Sequence, residues 1–164
     1  MSRRLSTTLR FAVLGLLVAT PVLARPPHSP DDQYEAFVES STLIVDTKTR
    51  LTWERSVTST TADWDTADDY CRLTFGGRLP TIKELLTLFD EEPHDEYDGQ
   101  LVPVYIDPDA FGYKTPVDAP YWTSTPANTQ GTQVWTLDFK SGEMTAAPKA
   151  ATTTDKRHYR CVKP

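Results

Sequence analysis

Gly77-Arg78-Leu79-Pro80-Thr81-Ile82-Lys83-Glu84-Leu85-Leu86-Thr87-Leu88-Phe89 is the stretch on which the reading of this chain turns. Thr81 followed three residues later by Glu84 is the reciprocal arrangement of a capping box, and Ile82, Leu85, Leu86 and Phe89 recur along one helical face. The stretch predicts an amphipathic helix that begins after Thr81, is aimed by Pro80 and runs out at Asp90-Glu91-Glu92-Pro93. Arg78 and Glu84 stand where an ion pair would brace the start of that helix.

Just upstream, Trp64, Ala67 and Cys71 recur at i, i+3 and i+7 while Asp65, Asp68 and Asp69 fall on other faces. This predicts a first helix, capped by Asp63 or a preceding threonine, with Gly76-Gly77 as its left-handed stop and Cys71 pointing inward. Further upstream, residues 37–55 alternate around Thr42-Leu43-Ile44-Val45 and Leu51-Thr52-Trp53, as a β-hairpin does. Its turn, Asp46-Thr47-Lys48-Thr49-Arg50, holds no glycine, so Lys48 or Arg50 must take a positive φ unless the loop is long.

Downstream, residues 90–120 hold seven prolines and glycines among many acidic groups, and read as a long loop region. Strands return at Tyr121 to Thr125, Gln133 to Phe139, Glu143 to Ala147 and His158 to Val162, with a Lys140-Ser141-Gly142 turn. In the last, Tyr159 and Cys161 share a face opposite Arg160. Two helices early and antiparallel strands late make an α+β layout.

The chain opens with Arg3, Arg4 and Arg10, an apolar run from Phe11 to Ala19, and Val22-Leu23-Ala24, the pattern of a signal peptide cleaved after residue 24. The run is too short to span a membrane, for which about 20 apolar residues are needed. No cysteine stands there for lipid attachment. Arg3-Arg4 hints at twin-arginine export, but Ser6 and Thr7 follow, which favours the general secretion route. Residues 25–36, with Pro26-Pro27-His28-Ser29-Pro30, read as a disordered leader, and residues 37–164 as one domain. Four Trp, seven Tyr and six Phe suffice for its core.

Removing Arg3, Arg4 and Arg10 takes the formal charge from −6 to −9. Without a dense basic face such a protein is no nucleic-acid binder, and neutral sugars, cations and basic proteins remain as partners. Two cysteines in an exported chain allow one pairing, Cys71 with Cys161.

The blocks Asp46-Thr47-x-Thr49-x-Leu51-Thr52-Trp53, Trp64-x-x-Ala67-x-x-Tyr70-Cys71, Gly77-Arg78-Leu79-Pro80-Thr81-x-x-Glu84-Leu85, Ile106-Asp107 before Phe111, Tyr121 to Thr125, Trp135-x-x-x-Phe139-x-x-Gly142 and Arg160-Cys161-Val162 occur in this order. Together they resemble the family of the C-terminal domain of Legionella collagen-like protein, over about residues 40–163. The resemblance implies a C-type-lectin-like fold related to formylglycine-generating enzymes, with two helices, small antiparallel sheets and a disulfide from first helix to last strand. It also implies an exported bacterial protein, and the name-giving member uses the domain in adhesion to glycans. Two positions depart from the family pattern. Arg50 stands where glycine is common, and Gly77 where a tryptophan usually precedes Arg-Leu-Pro.

No catalytic residue is expected. The related oxidases work through reactive cysteines, and both cysteines here match the structural pair. His28, His94 and His158 lack metal-ligand spacing, and Ser124 lacks the Gly-x-Ser-x-Gly setting. Asp90, Glu91, Glu92, Asp95, Glu96 and Asp98 offer hard oxygen ligands for calcium, as a candidate loop only, because the EF-hand order and the lectin sugar-binding triplets are missing. Tyr97, Tyr105, Tyr113, Tyr121 and Trp122 form the candidate ligand surface, while Trp53, Trp64 and Trp135 are expected to pack. The reading is thus an exported, non-catalytic recognition or adhesion module for a glycan or an extracytoplasmic protein. An enzyme on the same fold and a structural envelope protein are the alternatives.

Overall fold

A computed structural model describes residues 33–36, 40–56, 60–97, 101–112, 115–150 and 155–164. The expected signal peptide and most of the expected leader lie outside them. The capping box forms as read. Helix α2 (Ile82–Leu86) starts with Thr81 Oγ1 accepting from Glu84 N at 3.2 Å and Glu84 Oε2 accepting from Thr81 N at 2.8 Å. Both terminal guanidinium nitrogens of Arg78, Nη1 and Nη2, donate to the Glu84 carboxylate at 2.7 Å. The helix is shorter than its apolar spacing predicted, because the Thr87 hydroxyl donates back to Glu84 O at 2.7 Å and closes the last turn. Leu88, in the turn beyond, is buried, whereas Leu86 lies at the surface.

Helix α1 (Trp64–Asp69) is N-capped by Asp63, whose carboxylate accepts from Thr66 N at 2.9 Å. It runs on as a π-helical segment, Tyr70–Thr74, that carries buried Cys71. Gly76, at φ +74°, stops it in the left-handed region.

The hairpin of β2 (Leu43–Asp46) and β3 (Leu51–Glu54) is central to a four-stranded antiparallel sheet ordered β1-β2-β3-β9, where β1 is Tyr34–Ala36 and β9 is Val162–Lys163. Arg50 takes the positive φ, +60°. Asp46 supports the turn by accepting from Lys48 N and Thr49 N at 2.9 and 3.2 Å. Strand β1 falls within residues expected to belong to the leader; it pairs along β2, and the Tyr34 ring packs edge-on against Phe111 at 5.1 Å.

The region 90–120 is also corrected. It holds a β4 (His94–Tyr97) to β5 (Leu101–Val104) hairpin and a short helix α3 (Pro108–Phe111). Pro108 starts that helix instead of breaking a chain, because proline suits the first helical position, and Asp107 caps it by accepting from Asp109 N and Ala110 N. The third sheet is ordered β6-β7-β8 (Tyr121–Pro126, Gln133–Leu137, Met144–Pro148), antiparallel throughout. The architecture is therefore α+β.

Two apolar clusters fill the interior. One joins Trp53, Leu85, Phe111, Tyr121, Phe139 and Val162 across the first sheet, α2 and β7; the other gathers Leu79, Trp122 and Val134 around the disulfide between Cys71 and Cys161, whose Cα atoms lie 5.2 Å apart. The last strand is shorter than expected, and Arg160, read as facing away from the Cys161 side, is fully buried. Its Nη1 donates to the Glu54 and Arg55 carbonyls, and its guanidinium lies 4.6 Å from the Phe111 ring centre. Burial holds its pKa below the usual arginine value.

Candidate functional site

Of the five aromatic residues expected to form a ligand surface, two lie in the interior. Tyr121 and Trp122 are fully buried and present no ring face to a ligand. Their polar atoms are spent inside: Tyr121 OH donates to Pro116 O and Trp122 Nε1 to Ala62 O, each at 2.8 Å. Adjacent on the strand, they point to opposite faces of β6, and both are inward because a different apolar cluster covers each face, Tyr121 in one and Trp122 in the other. Tyr105 is half-buried and stacks on Phe89 with ring centres 4.9 Å apart. Tyr97 sits in β4, and Tyr113 lies outside the described residues. Among the expected packing residues, Trp53 is fully buried, whereas Trp64 and Trp135 are only half-buried.

The acidic segment is organised by the β4–β5 hairpin. Asp95 and Glu96 stand in β4 opposite Pro103 and Val102, Glu91 and Glu92 are exposed, and Asp98 lies outside the described residues. Asp90, the inward one, accepts from Glu92 N at 3.2 Å and bonds His94 Nε2 at 2.9 Å. Among the described residues no group of three or more His, Cys, Asp or Glu side chains is gathered for a metal ion.

Two histidines pair with carboxylates, His94 with Asp90 and His158 with Asp118 at 2.7 Å. The hydrogen bond from His158 holds the Asp118 carboxyl below its usual range. The other ring nitrogen of His158, Nδ1, is buried without a hydrogen-bond partner among the described residues. Both cysteine sulfurs are in the disulfide.

Beside that disulfide the fold builds a constellation that local spacing did not show. The Tyr70 and Tyr159 rings meet edge to face at 5.3 Å, both half-buried. Tyr70 OH donates to Glu54 Oε1 at 2.9 Å, and Cys161 N donates to Glu54 Oε2 at 3.2 Å. Burial raises the Glu54 pKa, and burial together with that carboxylate pushes the Tyr70 phenol up to about 12. The result is an aromatic edge, partly open to solvent, over a fixed carboxylate. A signal for it was present: Tyr70 directly precedes Cys71 and Tyr159 precedes Cys161 by two, so a bond between the cysteines brings the tyrosines within reach of each other.

The family model for the Lcl C-terminal domain matches residues 42–163, from β2 through β9. The chain belongs to the Lcl C-terminal domain family. In this Lcl C-terminal domain the departure at Gly77 has a structural reason, since a Cβ there would stand 2.4 Å from Val162 O and 2.9 Å from the Phe75 ring. Phe75, with Lys163 Nζ 5.4 Å from its ring centre, occupies the space beside the position. Comparison with curated proteins and with solved structures gave no match. No helix among the described residues is long and apolar enough to cross a membrane.

Proposed function

We propose that this Lcl C-terminal domain is exported, adopts the C-type-lectin-like arrangement and acts outside the cytoplasm as a non-catalytic recognition module, with Tyr70 and Tyr159 as its contact surface for a neutral sugar. The observation that carries the reading is the family match over residues 42–163, which joins the chain to a domain whose name-giving member adheres to glycans. The tyrosine pair supports it chemically. Half-buried aromatic rings stack on the apolar faces of sugars, and a fixed carboxylate beneath restrains the rings so that little freedom is lost on contact. The mature charge of −9 argues for neutral over sulfated glycans.

The test is a glycan array and pull-down with the oxidised protein, with and without calcium, repeated with Tyr70→Ala and Tyr159→Ala. Neutral glycans should be retained by the parent and lost by both variants, each still folded by circular dichroism at the assay temperature though less stable than the parent. Retention of nothing in either condition, or retention that ignores both substitutions, overturns the proposal.

A further inference from the structure

We infer that strand β8 pairs with the β8 of a second copy of this chain, about a two-fold axis through Ala146, and so joins two three-stranded sheets into one of six. The inference starts from the ladder between β7 and β8. Asp138 N donates to Glu143 O and Lys149 N to Thr132 O, both at 3.0 Å, and the register between them is continuous from Gln133↔Pro148 to Leu137↔Met144. In an antiparallel ladder, hydrogen-bonded pairs alternate, so Thr145 and Ala147 bond inward to β7. Met144, Ala146 and Pro148 therefore turn their backbone groups outward, along the edge of the sheet on which no strand is paired among the described residues.

Open edges are commonly guarded by inward-pointing charges, lysines or bulges within the strand. Met144-Thr145-Ala146-Ala147-Pro148 has no charge, and its ladder with β7 has no bulge. Its outer side chains are small or apolar and open to solvent, with Met144 48% exposed and Ala146 exposed beside half-buried Trp135. The one guard is Pro148, at the end of the strand.

The flanking charges select the occupant. With the axis through Ala146, the two Ala146 residues exchange both their backbone bonds, and Met144 N–H meets Pro148 C=O of the other copy, while proline's missing N–H leaves the Met144 C=O facing it to water, so the pairing makes four backbone bonds. In the same register Glu143 of one copy falls opposite Lys149 of the other, at both ends. Both residues lie on the Thr145 and Ala147 face, in a pair not bridged by backbone bonds, where side chains approach most closely. An antiparallel β8 thus pairs with itself through four backbone bonds and is complementary to itself in charge, as a two-fold interface requires.

Sedimentation velocity and light scattering on the oxidised full chain over a wide concentration range test this. A reversible dimer is expected. Ala146→Pro removes only an outward N–H, so the fold should persist by circular dichroism while the dissociation constant rises at least about tenfold. Glu143→Lys should weaken the dimer, Lys149→Glu should do the same, and the Glu143→Lys/Lys149→Glu double variant should restore it. A strictly monomeric protein, a threefold species, or a dimer indifferent to Ala146→Pro and to the charge exchange overturns the inference.

Discussion

Breaking the bond between Cys71 and Cys161 should remove most of the margin by which this domain stays folded. The bond closes a loop with a sequence separation of 90 residues, and in the chain-entropy model such a loop contributes roughly 4–5 kcal/mol by restricting the unfolded chain. Domains of this size are stable by about 5–15 kcal/mol in total, so the loss is a large share of the whole. Reduction is the cleanest perturbation, because both thiols stay in place and no void opens in the cluster around Leu79, Trp122 and Val134. The assay is urea unfolding of oxidised and reduced protein, followed by tryptophan fluorescence. The reduced form should lose about 4–5 kcal/mol, and its slope with urea should steepen, because a chain freed of its cross-link exposes more surface when unfolded. The midpoint in a thermal scan should fall by roughly 10–20 °C. A loss under about 1 kcal/mol with an unchanged slope would refute the reasoning, since it would mean that the unfolded chain is no less restricted without the bond.

Three further outcomes follow from side-chain geometry. The Arg78 pair and the backbone bonds at Thr81 hold the Glu84 carboxyl down at about 2 against 4.5 for the free group. Its contribution is complete above pH 4.5 and is lost as pH falls towards 2; because Arg78 is substantially exposed, it amounts to about 1–2 kcal/mol, and Glu84→Gln should flatten that limb of a stability profile. Gly142 takes φ +73° in the β7–β8 turn and a Cβ there would lie 2.7 Å from the Phe89 ring, so Gly142→Ala should destabilise by about 2 kcal/mol or more in urea unfolding. Arg50→Gly relieves a non-glycine residue at φ +60° and should stabilise by up to about 1 kcal/mol, the strain relieved exceeding the entropy that glycine adds to the unfolded chain.

The parts of the fold legible beforehand were those whose signals are local. Thr81 with Glu84, Asp63 ahead of Trp64, and the glycine-free turn at Arg50 each carry their own chemistry within a few residues, and each appears where it was expected. The errors arose where one residue type serves two purposes. Pro108 was read as a breaker and is a helix starter; Leu86 matched the helical stripe, but the helix ends there and Leu88 takes the inward place. Arg160 was unreadable for a different reason. A lone arginine between Tyr159 and Cys161 reads as a surface residue, and the carbonyls of Glu54 and Arg55 that help to offset its burial are brought from the other end of the domain. The aromatic side chains divide in the same way. Tyr121 and Trp122 looked like ligand residues because they adjoin a loop, whereas Tyr70, Tyr159 and Glu54 meet only once the chain has closed on itself.

The pairing of β3 with β9 also sets a timetable. Trp53 lies beside Val162, more than a hundred residues later in the chain, and is wholly covered only when that strand arrives. A chain emerging N-terminus first, whether from a ribosome or from a membrane pore, carries an uncovered tryptophan and an unpaired sheet edge until nearly its last residues are out. Through that interval it is most open to aggregation and to capture by chaperones. Slow, all-at-once closure is the kinetic price of seating the final strand beside one of the first.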